Sequence, residues 1–321
     1  MNVRMIDRKN AMKGHTMHSQ KHFLAPLLTA ALLAGCGGGG GDSGSPPPTV
    51  SAFSASSARY SDTMLITLVG SNLDQTLTFT GAGCRNYVRS TTAPNISTAT
   101  AAYYTCTVSG VGNQIVAVSG GGLTVANVSF TVAVPQVTML INNGAGVAGT
   151  LVLTLAPDRA PITVDNFLAY VKRDFYNGTV FQRHGRQGTS INITGEFVLQ
   201  GGGYDAPVSS AARFPVPKAA SAPIALEVGL SNLRYTVAMA RSSAANSATS
   251  EFFINTVDNT FLDSTATVQG YAAFATITTG TTLVDAMVAA PCNFSAINYG
   301  LNSPDCVPEP NLVVITATQS R

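Results

Sequence analysis

Residues 179–184 read Thr-Val-Phe-Gln-Arg-His, and residues 196–203 read Glu-Phe-Val-Leu-Gln-Gly-Gly-Gly. Both runs are short and mix apolar with polar side chains, and the second ends in glycine, which suggests neighbouring half-buried strands. Among their side chains are the guanidinium of Arg183, the amide of Gln200 and the apolar rings of Phe181 and Phe197. A site of this kind can hold a small apolar ring and aim one strong donor at it.

Little other acid–base chemistry is available. Three of the four histidines (His15, His18 and His22) fall in an N-terminal leader, leaving His184, which reads as a solvated loop residue. His/Cys metal clusters are not expected, nor is any cofactor. A Ser-His-Asp arrangement would need His184, and no Gly-x-Ser-x-Gly elbow accompanies it.

On the N-terminal side of these runs, Val137–Ile141 and Thr150–Leu155 straddle a Gly-rich turn and read as a hairpin. A helix follows Pro161, with Thr163 as N-cap candidate, Asp165 in its first turn, and Val164, Phe167, Leu168 and Val171 on one face. On the C-terminal side, Leu283, Val284, Met287 and Val288 mark a second helix over about 282–289, ended by Pro291.

Further out, residues 49–134 hold short Val/Thr/Ala/Leu segments between turn residues, including 64–69, 77–80, 103–108, 115–118 and 123–132. Strands this short, repeated at roughly ten-residue spacing, suggest an immunoglobulin-like antiparallel β-sandwich acting as a spacer or adhesion module. The stretch contains no tryptophan, and Cys84 and Cys106 are too close in sequence for the usual bridge between sheets.

Residues 1–36 read as a lipoprotein signal. A basic region (Arg4, Arg8, Lys9, Lys13, Lys21) precedes an apolar run ending Leu33-Ala-Gly-Cys36. Small residues before a cysteine resemble a lipobox, which makes Cys36 the lipidation site and the membrane a partner through that lipid. Gly37 lacks the aspartate associated with inner-membrane retention, so the expected address is the bacterial envelope, at the outer membrane facing the periplasm. Met12 and Met17 stand as alternative starts. Residues 37–48, rich in Gly, Ser and Pro, form a tether that cannot bury a core.

Removing the leader takes five bases and one acid from 18 Lys+Arg and 16 Asp+Glu, leaving 13 against 15 and a net charge near −2 instead of the formal +2. No basic stripe remains for nucleic acid. With Cys36 lipidated, the other cysteines form two sequence-local pairs, Cys84/Cys106 and Cys292/Cys306, read as disulfides of an oxidising compartment. Each would contribute about 3 kcal/mol through chain entropy. Nothing in the sequence sets an oligomeric state, and a monomer is the expectation.

The segments Ala160–Phe167, Phe175–Arg183, Phe197–Gly203, Thr236–Arg241, Asn246–Asn255 and Asp258–Asp263, in this order, resemble the cyclophilin-type peptidyl-prolyl isomerases, especially periplasmic bacterial ones. The resemblance covers about residues 137–318, within a domain expected at 135–321. It implies an eight-stranded antiparallel β-barrel capped by two helices, with proline-containing polypeptides as partners. Arg183 matches the family's catalytic arginine, and Gln200 the glutamine that orients it and the substrate backbone. Phe197, Val198, Phe253 and Leu262 match the pocket for the proline ring. Ala240, Phe261 and Tyr271 match further groove positions, where Phe and Tyr stand in place of a Trp and a His of eukaryotic members.

The sequence departs from the family in three places. Thirteen residues (His184 to Glu196) separate Arg183 from Phe197, where the family has a short link, often Ile-Ile-Pro-Gly. This insertion lies beside the groove and is placed to reshape or cover it. The family's Ser-Gln-Phe-Phe is Ser250-Glu-Phe-Phe253, which puts the Glu251 carboxylate within the substrate-binding set, to pair with Arg183 or Arg241 or to stay solvated. Finally, the usual Phe-Gly-Lys-Val becomes Phe274-Ala-Thr-Ile277.

An X-Pro bond interconverts slowly because rotation breaks amide resonance, a barrier of about 18–20 kcal/mol. In the twisted transition state the prolyl nitrogen regains a lone pair, which a guanidinium stabilises more than it stabilises either planar isomer. The sequence therefore reads as an envelope prolyl isomerase that assists exported proteins. Two alternatives remain: a non-catalytic module that binds Pro-containing segments as chaperone or scaffold, and a purely structural adhesion protein.

Overall fold

The computed structural model describes residues 45–189, 192–207, 216–293 and 304–321. The leader and Cys36, with the tether through Gly44, lie outside the described residues. Ser45–Arg321 forms one compact unit.

Its N-terminal part contains β1 (Thr49–Ala55), β2 (Thr63–Ser71), β3 (Leu77–Thr80), β4 (Cys84–Arg89), β5 (Ala101–Val108), β6 (Gly112–Gly120) and β7 (Leu123–Val132). These strands make two antiparallel sheets, β1-β2-β5-β4 and β3-β6-β7. Period-two alternation decides which faces are buried: Met64, Ile66 and Leu68 of β2 and Ala102, Tyr104, Cys106 and Val108 of β5 all point into the core. Cys84 and Cys106 are bonded across neighbouring strands of one sheet, which is why 22 positions suffice to separate them.

The remainder comprises β8 (Gln136–Asn142), β9 (Ala148–Leu155), α1 (Pro161–Lys172), β10 (Arg183–Thr189), β11 (Asn192–Gly201), β12 (Tyr204–Asp205) and β13 (Val216–Pro217). It continues with β14 (Thr236–Met239), β15 (Phe252–Asn255), β16 (Ala273–Thr279), α2 (Thr281–Val288), β17 (Cys292–Asn293), β18 (Val307–Pro308) and β19 (Val313–Gln319). Eight strands form a curled antiparallel sheet in the order β10-β11-β15-β14-β16-β9-β8-β19. The segment leading into β10 meets the sheet's far edge: Val180 bridges Val313 of β19, and Phe181 N donates to Leu312 O at 3.0 Å, while His184 of β10 bridges Cys306. The expected 137–155 hairpin is β8–β9.

Helix α1 buries Val164, Phe167, Leu168 and Val171, as its spacing predicts. The Phe167 ring lies 4.9 Å from Phe274, 5.2 Å from Tyr176 and 5.8 Å from Phe252, joining helix and sheet in one aromatic core. Its N-terminus departs from the expectation. The helix begins at Pro161, so Thr163 lies inside the first turn and Asp165 beyond it. The orphan N–H groups are satisfied instead by Glu227, whose carboxylate accepts from Ile162 N at 3.0 Å and Thr163 N at 2.7 Å. Asp165 pairs with Arg85 at 2.6 Å, and Lys172 with Asp62 at 2.8 Å, tying the helix to the N-terminal sheets. Helix α2 buries Val284 and Met287. Among the described residues, no helix is long and apolar enough to cross a membrane.

The described residues of the thirteen-residue insertion pair with one another as continuations of β10 and β11, with irregular register at Gly185/Arg186 and Gln187/Gly188. His184 is buried, contrary to the solvated loop residue expected, because the strand-like pairing with Cys306 covers it. His184 Nε2 contacts the Glu196 carboxylate. Burial pushes the imidazole pKa down, against the opposing pull of Glu196.

Candidate active site

The runs 179–184 and 196–203 meet through Arg183 and His184: Arg183 stands directly opposite Gln200, and Gln200 opposite Phe253 on the next strand. Side chains at opposed positions of an antiparallel pair are close enough to bond. Arg183 Nη1 donates to Gln200 Oε1 at 2.9 Å. Its Nε donates to Asp305 Oδ2 at 2.7 Å, and Nη2 has no hydrogen-bond partner among the described residues. A Cβ on Gly185 would stand 3.1 Å from Val198 Cγ2 and 3.2 Å from Arg183 Nη2, so the guanidinium packs closely over position 185 at the edge of the apolar residues.

Those apolar residues form a cluster separate from the main core. Val198, Ala238, Phe253 and Ala273 are its buried members, with Phe197, Leu230, Ala240, Leu262 and Tyr271 packed against them and partly exposed. Phe253 meets Tyr271 edge-on at 5.5 Å. Phe261, 65% exposed, stacks on Phe197 at 5.8 Å and so continues the apolar surface outward. The structure thus brings together Arg183, Gln200, Phe197, Val198, Ala240, Phe253, Phe261, Leu262 and Tyr271. Leu230, Ala238, Ala273 and Asp305 join them without having been singled out in the sequence. Leu230 was findable only through its backbone bond to Ala273, an N···O contact of 2.7 Å that no local pattern reveals.

The segment carrying Phe261, Leu262 and Tyr271 is held by a seam of amides. Asn259 Nδ2 donates to Phe197 O and to Asn255 Oδ1, each at 2.9 Å, while Asn232 Nδ2 donates to Asp263 Oδ1 at 2.9 Å. Burial alone would raise the Asp263 carboxyl, but the donors Ser231 and Asn232 hold it below its usual range.

Glu251 pairs with neither arginine. Arg183 is engaged by Asp305, and Arg241 donates to the backbone carbonyls of Gly270, Gln269 and Ser242 while lying over the Tyr271 ring. Nor is Glu251 a solvated carboxylate. Its Oε2 accepts from Gln200 Nε2 and Gln182 Nε2, both at 2.7 Å. Burial raises its pKa, opposed by those two donors and by the charge of Arg183.

Cys292 and Cys306 are bonded to each other, and His184 Nδ1 lies 3.7 Å from Cys292 Sγ. Among the described residues, this trio brings possible metal-ligand atoms within 4.8 Å of one another, but the disulfide leaves neither sulfur as a thiolate.

A guanidinium oriented by an amide at the rim of an apolar cluster is the arrangement the sequence resemblance implies, and comparison with known proteins bears on the family. The family model described as "Cyclophilin type peptidyl-prolyl cis-trans isomerase/CLD" matches residues 137–316. A peptidyl-prolyl cis-trans isomerase of Acinetobacter baylyi is 39% identical over 156 residues, 48% of this chain and 72% of that protein. Peptidyl-prolyl cis-trans isomerase B of Escherichia coli is 37% identical over 166 residues, 50% of this chain and 92% of that protein. A crystal structure of a Cryptosporidium parvum cyclophilin aligns with a TM-score of 0.41 at 19% identity, over 58% of this chain and 99% of that one. The chain belongs to the cyclophilin-type peptidyl-prolyl cis-trans isomerases, on the strength of its sequence matches over residues 137–316.

Proposed function

We propose that this isomerase acts on X-Pro bonds of exported polypeptides in the bacterial envelope, held there by a lipid on Cys36 and facing the periplasm from the outer membrane. The lipobox-like Leu33–Cys36 and the two disulfides support that address. The two N-terminal sheets support reading residues 49–134 as an immunoglobulin-like spacer and 135–321 as the catalytic domain.

The observation that carries the catalytic reading is the 2.9 Å bond from Arg183 Nη1 to Gln200 Oε1 beside the Phe253 cluster. The cluster receives the prolyl ring through Phe197, Val198, Phe253 and Leu262, while Ala240, Phe261 and Tyr271 extend the groove. Arg183 donates to the prolyl nitrogen as it pyramidalises, and Gln200 fixes the fork from which it donates. Because the nitrogen gains its lone pair only in the twisted state, that donation lowers the barrier more than it tightens binding. No covalent intermediate is needed.

The test is acceleration by the full chain, both of cis–trans exchange in a short X-Pro peptide and of a proline-limited refolding phase in an exported protein. Acceleration of both supports the proposal. A folded chain that binds the peptide without accelerating exchange is instead a Pro-segment-binding module.

A further inference from the structure

Resting on the catalytic reading of Arg183, we infer that Asp305 is a positioning residue for that arginine, delivered to the site by the Cys292–Cys306 bridge. A guanidinium offers donors on three nitrogens in one rigid plane, so two anchored nitrogens fix where the third points. Here Nη1 is taken by Gln200 and Nε by Asp305, at 2.9 and 2.7 Å, and Nη2 is left. With Gln200 alone the plane could still pivot about one hydrogen bond; Asp305 supplies the second anchor and, being ionised, the stronger one.

Asp305 is itself held firmly. Only 10% of its side chain is exposed, and its second oxygen, Oδ1, accepts from Arg186 N at 3.1 Å. Its neighbour Cys306 is fully buried, bonded to Cys292, and paired with β10 through His184 N to Cys306 O at 2.8 Å and Cys306 N to His184 O at 3.1 Å. The strand that carries Arg183 therefore also grips the residue next to its counter-ion. A carboxylate 122 positions away in sequence arrives at Nε with little freedom. In this account Asp305 never touches the substrate, and its whole effect passes through Arg183.

The experiment is a double-mutant cycle on the full chain, comparing wild type, Asp305→Ala, Arg183→Ala and the double variant by kcat/KM and by X-Pro peptide Kd. Asp305→Asn, which keeps shape and one acceptor oxygen, guards against misfolding of the alanine variant. Asp305→Ala is expected to lower kcat/KM by about tenfold, as small misplacements of catalytic groups do, with Kd changed by less than about twofold. In the Arg183→Ala background the same substitution should cost nothing further. The Arg183 Nε–H resonance gives a readout independent of turnover: it should be slow to exchange in wild type and fast in Asp305→Ala. Three results would overturn the inference: unchanged kcat/KM in folded Asp305→Ala and Asp305→Asn, an equal loss in the Arg183→Ala background, or an unaltered Nε–H resonance. An inactive wild type would reject the catalytic reading and this inference together. An active wild type indifferent to Asp305 rejects this inference alone.

Discussion

Glu251 turns the amide of Gln200. Because an ionised carboxylate only accepts hydrogen bonds, its 2.7 Å contact must be to Gln200 Nε2, which leaves Gln200 Oε1 facing Arg183 Nη1 at 2.9 Å. The Arg183 guanidinium thus sits in a chain of acceptors and donors that runs from Asp305 through Arg183 and Gln200 to Glu251 and Gln182.

The orientation of that amide has a stability cost that depends on pH. Burial raises the Glu251 pKa in the folded protein, so its ionised form is disfavoured there relative to the unfolded chain. A raised folded pKa means stability is fully present below the unfolded value and is lost as pH rises through the folded one. Glu251→Gln should therefore be more stable than wild type at neutral pH, with the difference shrinking on acidification toward the unfolded carboxylate pKa. Denaturant midpoints measured from pH 7 down to pH 4.5 check this; a difference that stays constant or grows on acidification contradicts it.

Gly203 keeps the carboxylate in place. A Cβ there would stand 2.5 Å from Glu251 Cγ and 2.6 Å from Cδ, so Gly203→Ala must push that side chain away from Gln200. Expected is a loss in kcat/KM of about tenfold from the disoriented amide, with little change in thermal midpoint because the displaced group is a side-chain end. Full activity in Gly203→Ala would show that the Glu251–Gln200 contact is dispensable.

The two disulfides should differ in what they do for turnover. Each should stabilise by about 3 kcal/mol on loop length alone. Cys84–Cys106 sits within an N-terminal sheet, whereas Cys292–Cys306 holds the residue next to Asp305. Replacing Cys84 and Cys106 by serine is expected to leave kcat/KM within about twofold, while replacing Cys292 and Cys306 lowers it severalfold. Equal kinetic effects from the two pairs would be incompatible with a link between the second bridge and the site.

Phe167 joins helix α1 to the sheet through rings at 4.9, 5.2 and 5.8 Å and is fully buried. Phe167→Ala should cost about 3–5 kcal/mol in unfolding free energy, the usual loss for an aromatic core truncation. Chemical denaturation at constant m-value measures it; a loss below about 1 kcal/mol would mean that the helix is not part of the cooperative core.

What the sequence made legible follows from range. Arg183 and Gln200 were readable as partners through the family resemblance, and the buried face of α1 because helical spacing fixes which residues share a face. The order of motifs pointed to the pocket residues Phe197, Val198, Phe253 and Leu262. Contacts across long sequence separations were not readable: Asp305 reaches Arg183 from 122 positions away, and Glu227 caps α1 from 64 positions beyond Thr163. His184 was misread for the same reason, since what buries it is the distant Cys306. Glu251 was recognised as unusual, but its partners proved to be amides, because both nearby arginines were already engaged elsewhere.

The central claim is that Arg183 stabilises the twisted X-Pro bond rather than merely binding the peptide. The most direct measurement is kcat/KM for cis-to-trans exchange alongside peptide Kd, in wild type and Arg183→Ala full chains. The account predicts a fall in kcat/KM on the order of 10²–10³, the usual loss when one transition-state donor is removed, with Kd within about threefold of wild type. Retained turnover in Arg183→Ala, or a loss carried entirely by Kd, would contradict it.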